Sequence, residues 1–167
     1  MIRLARPADA AFLRACAEAA YARYVPEIGR RPAPMDADFP AQIAAGQVSV
    51  AEDVQGMPQG YVVCVPRADH MLLESVAVHP RAVGQGLGRL LIAHCETLAR
   101  AQALPEVRLY TNAKMAANLG LYPHLGYRET GRGWRTALTV SISPKCWASG
   151  QGAMAICRVS LPDVSKM

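Results

Sequence analysis

Apolar residues recur on two different periods along this chain, and the switches between them divide it into strands and helices. "IRLARP" alternates and stops at a proline, so Ile2–Arg6 is predicted as a first strand. Asp9 is positioned to cap a helix reaching about Tyr24, with Phe12, Leu13, Cys16, Ala20 and Tyr24 at helical spacing. The stretch "VPEIGRRPAPMDADFP" is too rich in Pro and Gly for either period and reads as a loop holding at most a short turn. A second short helix is predicted from Asp38 to Ala45, ended by Gly46. "QVSVAED" and "QGYVVCV" alternate around a "VQGMPQG" turn, as an antiparallel pair does. "HMLLESVAV" is a longer strand, on which a period of two places Leu72, Glu74, Val76 and Val78 on one face. A helix follows from Leu87 to Ala103, with Leu90, Leu91, His94, Leu98 and Ala101 along one side. "EVRLYT" is a strand, Ala113 to Leu125 a short helix stopped by Gly126, and "YRETGR" begins another strand. No internal repeat is visible.

The predicted order is β-α-α-β-β-β-α-β-α-β. Met71 to Tyr110 forms a βαβ unit, which requires two parallel strands. The fold class is therefore α/β: a mixed, mostly antiparallel sheet with one parallel βαβ unit, flanked by helices. At 167 residues the chain has the length of one domain and can bury a core without disulfide or metal support.

Composition narrows the partners. No apolar run is long enough to cross a bilayer, and no apolar segment follows the charges of "MIRLARPADAAF", so neither a membrane partner nor a secretory leader is expected. The five cysteines have no metal-ligand spacing, which excludes a metal site of that kind and points to a reducing, cytoplasmic setting. The formal charge of +5 is uneven: residues 133–167 carry +3 and residues 1–132 only +2. There is no basic block interleaved with aromatics, so no nucleic-acid partner is expected.

The chemistry is concentrated in "VAVHPRAVGQGLGRLLIAHCETLARAQ". Gly84, Gly86 and Gly88 stand at alternate positions between a strand and a helix. A helix N-terminus leaves N–H groups without partners and carries partial positive charge, and glycines let a phosphate approach that backbone. The expected ligand is a phosphate or pyrophosphate; the alternative is a turn that only reverses the chain. A Walker loop is excluded because Arg89-Leu90 follows Gly88 instead of Lys-Ser/Thr. A dinucleotide fingerprint is disfavoured by the glycine spacing and by the three strands that precede the unit.

Two stretches, "SVAVHPRAVGQGLGRLL" and "LYTNAKMAANLGLYPHLGYRETGR", together resemble the GNAT superfamily of N-acetyltransferases. The first resembles its acetyl-CoA pyrophosphate loop. The second resembles its distal strand and helix, where an Asn lies four residues before a Tyr and Leu-Gly-Tyr follows. The resemblance covers about residues 1–132. Val83 stands where the family pattern has Gln or Arg, while Arg81 satisfies the looser Arg-x-x-Gly-x-Gly spacing. The resemblance implies transfer of an acetyl group from acetyl-CoA, as co-substrate and without a metal, to a primary amine by direct attack. The acceptor is a small-molecule or peptide amine; its identity and whether the chain forms a homodimer stay open.

The resemblance also implies the site. Gly84, Gln85, Gly86, Leu87, Gly88 and Arg89 would hold the pyrophosphate, and the backbone of Val76, Ala77 and Val78 would pair with the pantetheine as an added strand does. Tyr122 matches the family tyrosine and is the candidate acid for the leaving thiolate. The alternative is a packing tyrosine. Asn118, one helical turn earlier, is placed to reach the pantetheine or the loop, or else is a surface residue. A protonated alkylamine has a pKa near 10.4, so removing its proton at pH 7 costs about 4.6 kcal/mol and calls for a base or a water relay. Glu74 is the candidate base, because a carboxylate on an otherwise apolar strand needs a reason; the alternative is a charge on a solvent-facing side. Tyr21, Tyr24 and the "IGRRPAPM" loop would line the acceptor pocket. His79 is placed at the loop entrance, whereas His94 and His124 read as helix residues.

Residues 133–167 depart from the family, which ends its sheet on a long strand. One back-translation of residues 133–147, read two bases on, encodes Leu-Ala-Asp-Gly-Phe-Asp-Arg-Val-Tyr-Phe-Thr-Lys-Val-Leu, which resembles that strand better. The tail is thus expected to be a frameshifted product or a divergent end, with "TALTVSIS" still alternating as a substitute strand. If the altered tail disables catalysis, the chain would instead be a non-catalytic acyl-CoA-binding or regulatory module.

Overall fold

A computed structural model of the chain describes residues 1–112, 115, 122–132 and 135–141. Its strands are β1 (Ile2–Leu4), β2 (Val48–Glu52), β3 (Pro58–Pro66), β4 (Met71–Val78), β5 (Glu106–Asn112), β6 (Arg128–Arg132) and β7 (Arg135–Ser141). They form one sheet in the order β1-β2-β3-β4-β5-β7-β6. Neighbours are antiparallel except β4 and β5, which run parallel across the βαβ crossover. The mixed α/β class holds, and so does the single parallel unit.

Helices cover both faces. On one side lie α1 (Ala10–Tyr21) and α3 (Phe39–Ala44), whose Leu13, Cys16, Phe39 and Ile43 pack with Val50, Tyr61 and Val63 of the sheet. On the other lies α4 (Leu87–Ala101), whose Leu91, Ile92, Cys95 and Ala99 pack with Val62, Leu73, Val107 and Leu109. The buried side of α4 is thus rotated from the predicted one. Leu91, Cys95 and Ala99 recur every fourth residue and face the sheet, while Leu90 is 58% exposed. Among the described residues, no helix is long and apolar enough to cross a membrane.

Local chemistry explains two further differences. Asp9 does not cap α1: its carboxylate accepts the Arg6 N–H at 2.6 Å and pairs with Arg3 at 2.7 Å, tying the helix entrance to β1. The Pro- and Gly-rich stretch after α1 is not wholly a loop, since Val25–Ile28 form a one-turn helix, α2, ended by Gly29. Asp38 does cap α3, accepting the Ala41 N–H at 3.1 Å.

"TALTVS" forms β7, and it does not end the sheet. It runs antiparallel between β5 and β6, pairing Leu109 with Leu138 and Glu129 with Leu138 from its two sides. The outer strand at this end is β6, because the chain doubles back to fill the gap beside β5.

Candidate active site

The site begins with an irregularity in β4. Val63 pairs with Ser75, but the next residue, Cys64, pairs with Leu73, so Glu74 is an extra residue on β4: a β-bulge. The bulge reverses the alternation. Leu72 joins the α1/α3 side of the sheet, whereas Val76 and Val78 pack on the α4 side. The expectation that Leu72, Glu74, Val76 and Val78 share one face is therefore corrected. Glu74 is exposed and turns toward α3, where its carboxylate accepts a hydrogen bond from Gln42 Nε2 at 2.9 Å.

The ladder between β4 and β5 stops at the same place. It runs from Met71/Val107 to Leu73/Leu109, while β5 goes on pairing with β7 as far as Asn112. Beyond Leu73 the two parallel strands part, and among the described residues Glu74 to Val78 have no strand partner on that side. The Val76 carbonyl shows that the open edge is available to other groups, for it accepts from the Tyr21 hydroxyl at 2.8 Å. A twist-enhancing bulge and a truncated ladder at one residue are two views of one local distortion.

A cavity of about 620 Å³ opens where the strands part. Glu74, Ser75 and Val76 form one wall, and Tyr110, Thr111 and Asn112 face them from β5. Tyr21, Gln42 and the loop residues 30–34 close it from the helical side. Tyr122 lines it as well. Of the residues expected to line an acceptor pocket, Tyr21 and the "IGRRPAPM" loop line this cavity and Tyr24 does not. Arg31 pins the loop, pairing with Glu18 of α1 and with Asp36 at 2.9 Å.

Tyr122 is 5% exposed and packs edge-on against Tyr127, with ring centroids 5.6 Å apart. Burial pushes its hydroxyl up to about 12, with nearby Tyr24 adding to the effect. The phenol therefore keeps its proton throughout the neutral range. Tyr21, buried in the same wall, is raised well above the ordinary phenol value by burial first and then by Tyr61 and Tyr122. Asn118 lies outside the described residues.

The glycine loop sits at the N-terminus of α4. Gly84 has φ +87° and Gly86, at the N-cap of α4, has φ +75°. A Cβ at either position would meet nothing within 4 Å. These glycines are required by left-handed backbone, which costs other residues about 1–2 kcal/mol, and the surface above them is open. Gln85 and Arg89 are exposed on this turn, while Leu87 and Gly88 are half-buried in the first turn of the helix. The turn's geometry suits an anion, because Leu87 and Gly88 open α4 ahead of its first bonds, which Arg89 and Leu90 N–H donate to the Gly86 carbonyl at 3.0 and 3.2 Å. His79 does not enter the cavity. Its Nδ1 accepts from the Arg81 N–H at 3.3 Å and from Arg81 Nε at 3.2 Å, and its ring stacks on Phe12. His94 reaches Ser49 of β2 at 3.0 Å, and His124 is exposed. No cluster of metal-ligating side chains occurs among the described residues.

Sequence reasoning missed Gln42. No motif marks it, and only the packing of α3 against the bulge brings it to Glu74. It also missed the contact of Tyr21 with the Val76 carbonyl, which spans 55 residues of sequence.

Parallel strands that part ahead of a glycine turn opening a helix, with a carboxylate and a protonated phenol lining the cleft, are an arrangement fitted to group transfer from a phosphate-bearing carrier. The acetyltransferase (GNAT) domain family matches residues 44–129, just over half of the chain, and the chain belongs to that family of N-acetyltransferases. Solved structures agree in fold. The PaiA N-acetyltransferase of Thermoplasma acidophilum, determined in complex with coenzyme A, superposes with a TM-score of 0.74 at 15% identity, over 84% of this chain and 98% of that one. A GCN5-related N-acetyltransferase of Rhodopseudomonas palustris gives 0.68 at 26% identity, over 84% and 94%. The ribosomal-protein-S18-alanine N-acetyltransferase of Escherichia coli gives 0.67 at 20%, over 86% and 94%. Comparison with curated protein sequences yields no match.

Proposed function

We propose that this chain moves an acetyl group from acetyl-CoA to a primary amine, small-molecule or peptide, by direct attack of the amine nitrogen on the thioester carbonyl. The observation that carries the reading is the parting of β4 from β5 at Leu73 over a cavity lined by both Glu74 and Tyr122, with the glycine turn following the end of β4. The neighbour determined with coenzyme A supports the choice of carrier. Bound acetyl-CoA supplies an activated acyl group.

The chain's own residues supply the rest. The turn from Gly84 through Gln85, Gly86, Leu87 and Gly88 to Arg89 takes the pyrophosphate on backbone N–H groups, with the exposed Arg89 adding charge attraction. The open edge of Val76, Ala77 and Val78 takes the pantetheine as an extra strand would. Glu74 accepts the proton lost by the attacking amine, directly or through water. Tyr122 is the acid that meets the departing sulfur, and Asn118 steadies the carrier. A thiol of pKa near 8.5 is about 3 to 4 units more acidic than the Tyr122 hydroxyl, so full proton transfer is uphill; the phenol acts by hydrogen-bonding the charge that builds on sulfur, and the released thiolate takes its proton from solvent.

The acceptor enters from the side of α1, α3 and the pinned loop, where the cavity walls are. The free, buried thiols of Cys16, Cys64 and Cys95 support a reducing, cytoplasmic setting.

Gly86→Val tests the carrier site. Valine is β-branched and disfavours the left-handed backbone that Gly86 adopts, so the turn must distort. Calorimetric titration should show acetyl-CoA affinity reduced at least tenfold, while the circular dichroism spectrum stays that of the parent. Unchanged affinity would remove the glycine turn from the site.

A further inference from the structure

We infer that Gln42 is a positioning residue for Glu74, aiming its carboxylate at the acceptor without neutralising it; the inference rests on the reading of Glu74 as the base. The Asp38 cap starts α3 beside the bulge, and Gln42 lies on the next turn. Its Nε2 donates to Glu74 Oε1 at 2.9 Å. Its own carbonyl oxygen, Oε1, is buried and has no hydrogen-bond partner among the described residues. The amide has two orientations, and the other would set its carbonyl against the carboxylate, oxygen to oxygen. The observed one is therefore dictated by Glu74, even though it strands a buried acceptor, which is unfavourable in itself.

The neutrality of the donor is what suits a base. Among the described residues, Glu74 forms no ion pair with any lysine, arginine or histidine. An arginine in the place of Gln42 would add a positive charge that holds the carboxylate in its ionised form. An amide fixes direction without adding a charge. The ionisable groups facing Glu74 across the cavity are Arg30 and Arg31 of the loop, Asp38 before α3, Tyr21 of α1, Tyr110 of β5 and Tyr122. Arg31 is engaged by Glu18 and Asp36, which leaves it poorly placed to take over the role of Gln42.

The test reads Glu74 directly. Carbon-13 NMR of side-chain-labelled glutamates follows its carboxyl at neutral pH, with the Glu74 signal assigned by its loss in Glu74→Gln. Gln42→Ala should shift and broaden that signal, because the carboxylate loses the donor that fixes its direction. Gln42→Glu, which offers no donor, should do the same. With acetyl-CoA and n-butylamine as a plain primary-amine probe, Gln42→Ala should lower kcat by up to about a hundredfold, the scale of a misplaced catalytic group, while the KM for acetyl-CoA holds. A Glu74 signal that is unchanged in folded Gln42→Ala overturns the inference even if Glu74→Gln is inactive. Full activity in Glu74→Gln overturns the base itself, and the role of Gln42 with it.

Discussion

Tyr122 is where the chemistry is most exposed to test at the scale of single residues. Burial pushes its hydroxyl up to about 12, so it keeps its proton across the neutral range. Tyr122→Phe keeps the ring, and with it the edge-on contact with Tyr127, and removes only the donor. We expect kcat to fall by about 10²–10⁴-fold, the usual cost of a lost general acid, with a much smaller change in KM. Steady-state kinetics with thiol detection checks this, and an unchanged kcat would make the residue a packing element. Tyr122 was legible in the sequence as a candidate because its motif is local: an Asn four residues before the Tyr, then Leu-Gly-Tyr. Glu74 was legible as a residue but not as a direction. A period of two assigns its face only if the strand is regular, and nothing in "MLLESVAV" announces the extra residue at the bulge. Gln42 was invisible for a stronger reason: its meaning lies wholly in a contact 32 residues away.

Among the elements, the glycine turn and the βαβ unit were readable because each is specified by short-range signals: positive-φ glycines, an alternating run, then a helical period. The packed face of α4 was not. Its apolar residues nearly encircle the N-terminal half, so a hydrophobic count admits more than one face, and the sheet's own residues decide which is buried. The resolved face makes a paired prediction. Leu91 is fully buried between α4 and the sheet, whereas Leu90, its neighbour, is 58% exposed. Leu91→Ala should destabilise the protein by about 2–5 kcal/mol, and Leu90→Ala by no more than about 0.5 kcal/mol. Urea unfolding of the two variants decides between the faces. Equal losses would return α4 to the orientation that the period alone suggests.

The whole molecule is a sheet whose two halves are held together over three residues of β4 and β5, with helices on both faces and the cleft where that ladder ends. The C-terminal half depends on β7, which fills the slot between β5 and β6. Alternation in "TALTVS" was enough to predict a strand but not its position, since strand order is set by long-range pairing. The proposal that the chain beyond Arg132 is read in a shifted frame predicts that this slot suits the alternative sequence better. A variant carrying Leu-Ala-Asp-Gly-Phe-Asp-Arg-Val-Tyr-Phe-Thr-Lys-Val-Leu from residue 133 should melt at higher temperature and gain transferase activity together, because its Phe, Val, Tyr and Phe would bring larger apolar side chains to the slot that β7 fills. Calorimetric melting of the two chains, with resequencing of the source DNA, tests this. Equal melting temperatures would make the present tail the native one.

Acyl transfer itself is tested most directly by incubating the purified chain with acetyl-CoA and a panel of primary amines, including amino acids, diamines and peptides with free N-termini, and following both products. The account predicts free thiol released in step with acetylated amine, for at least one acceptor, and both lost in Tyr122→Phe. Tight binding of acetyl-CoA with no acetylated product from any acceptor would contradict it and leave a carrier-binding module in place of an enzyme.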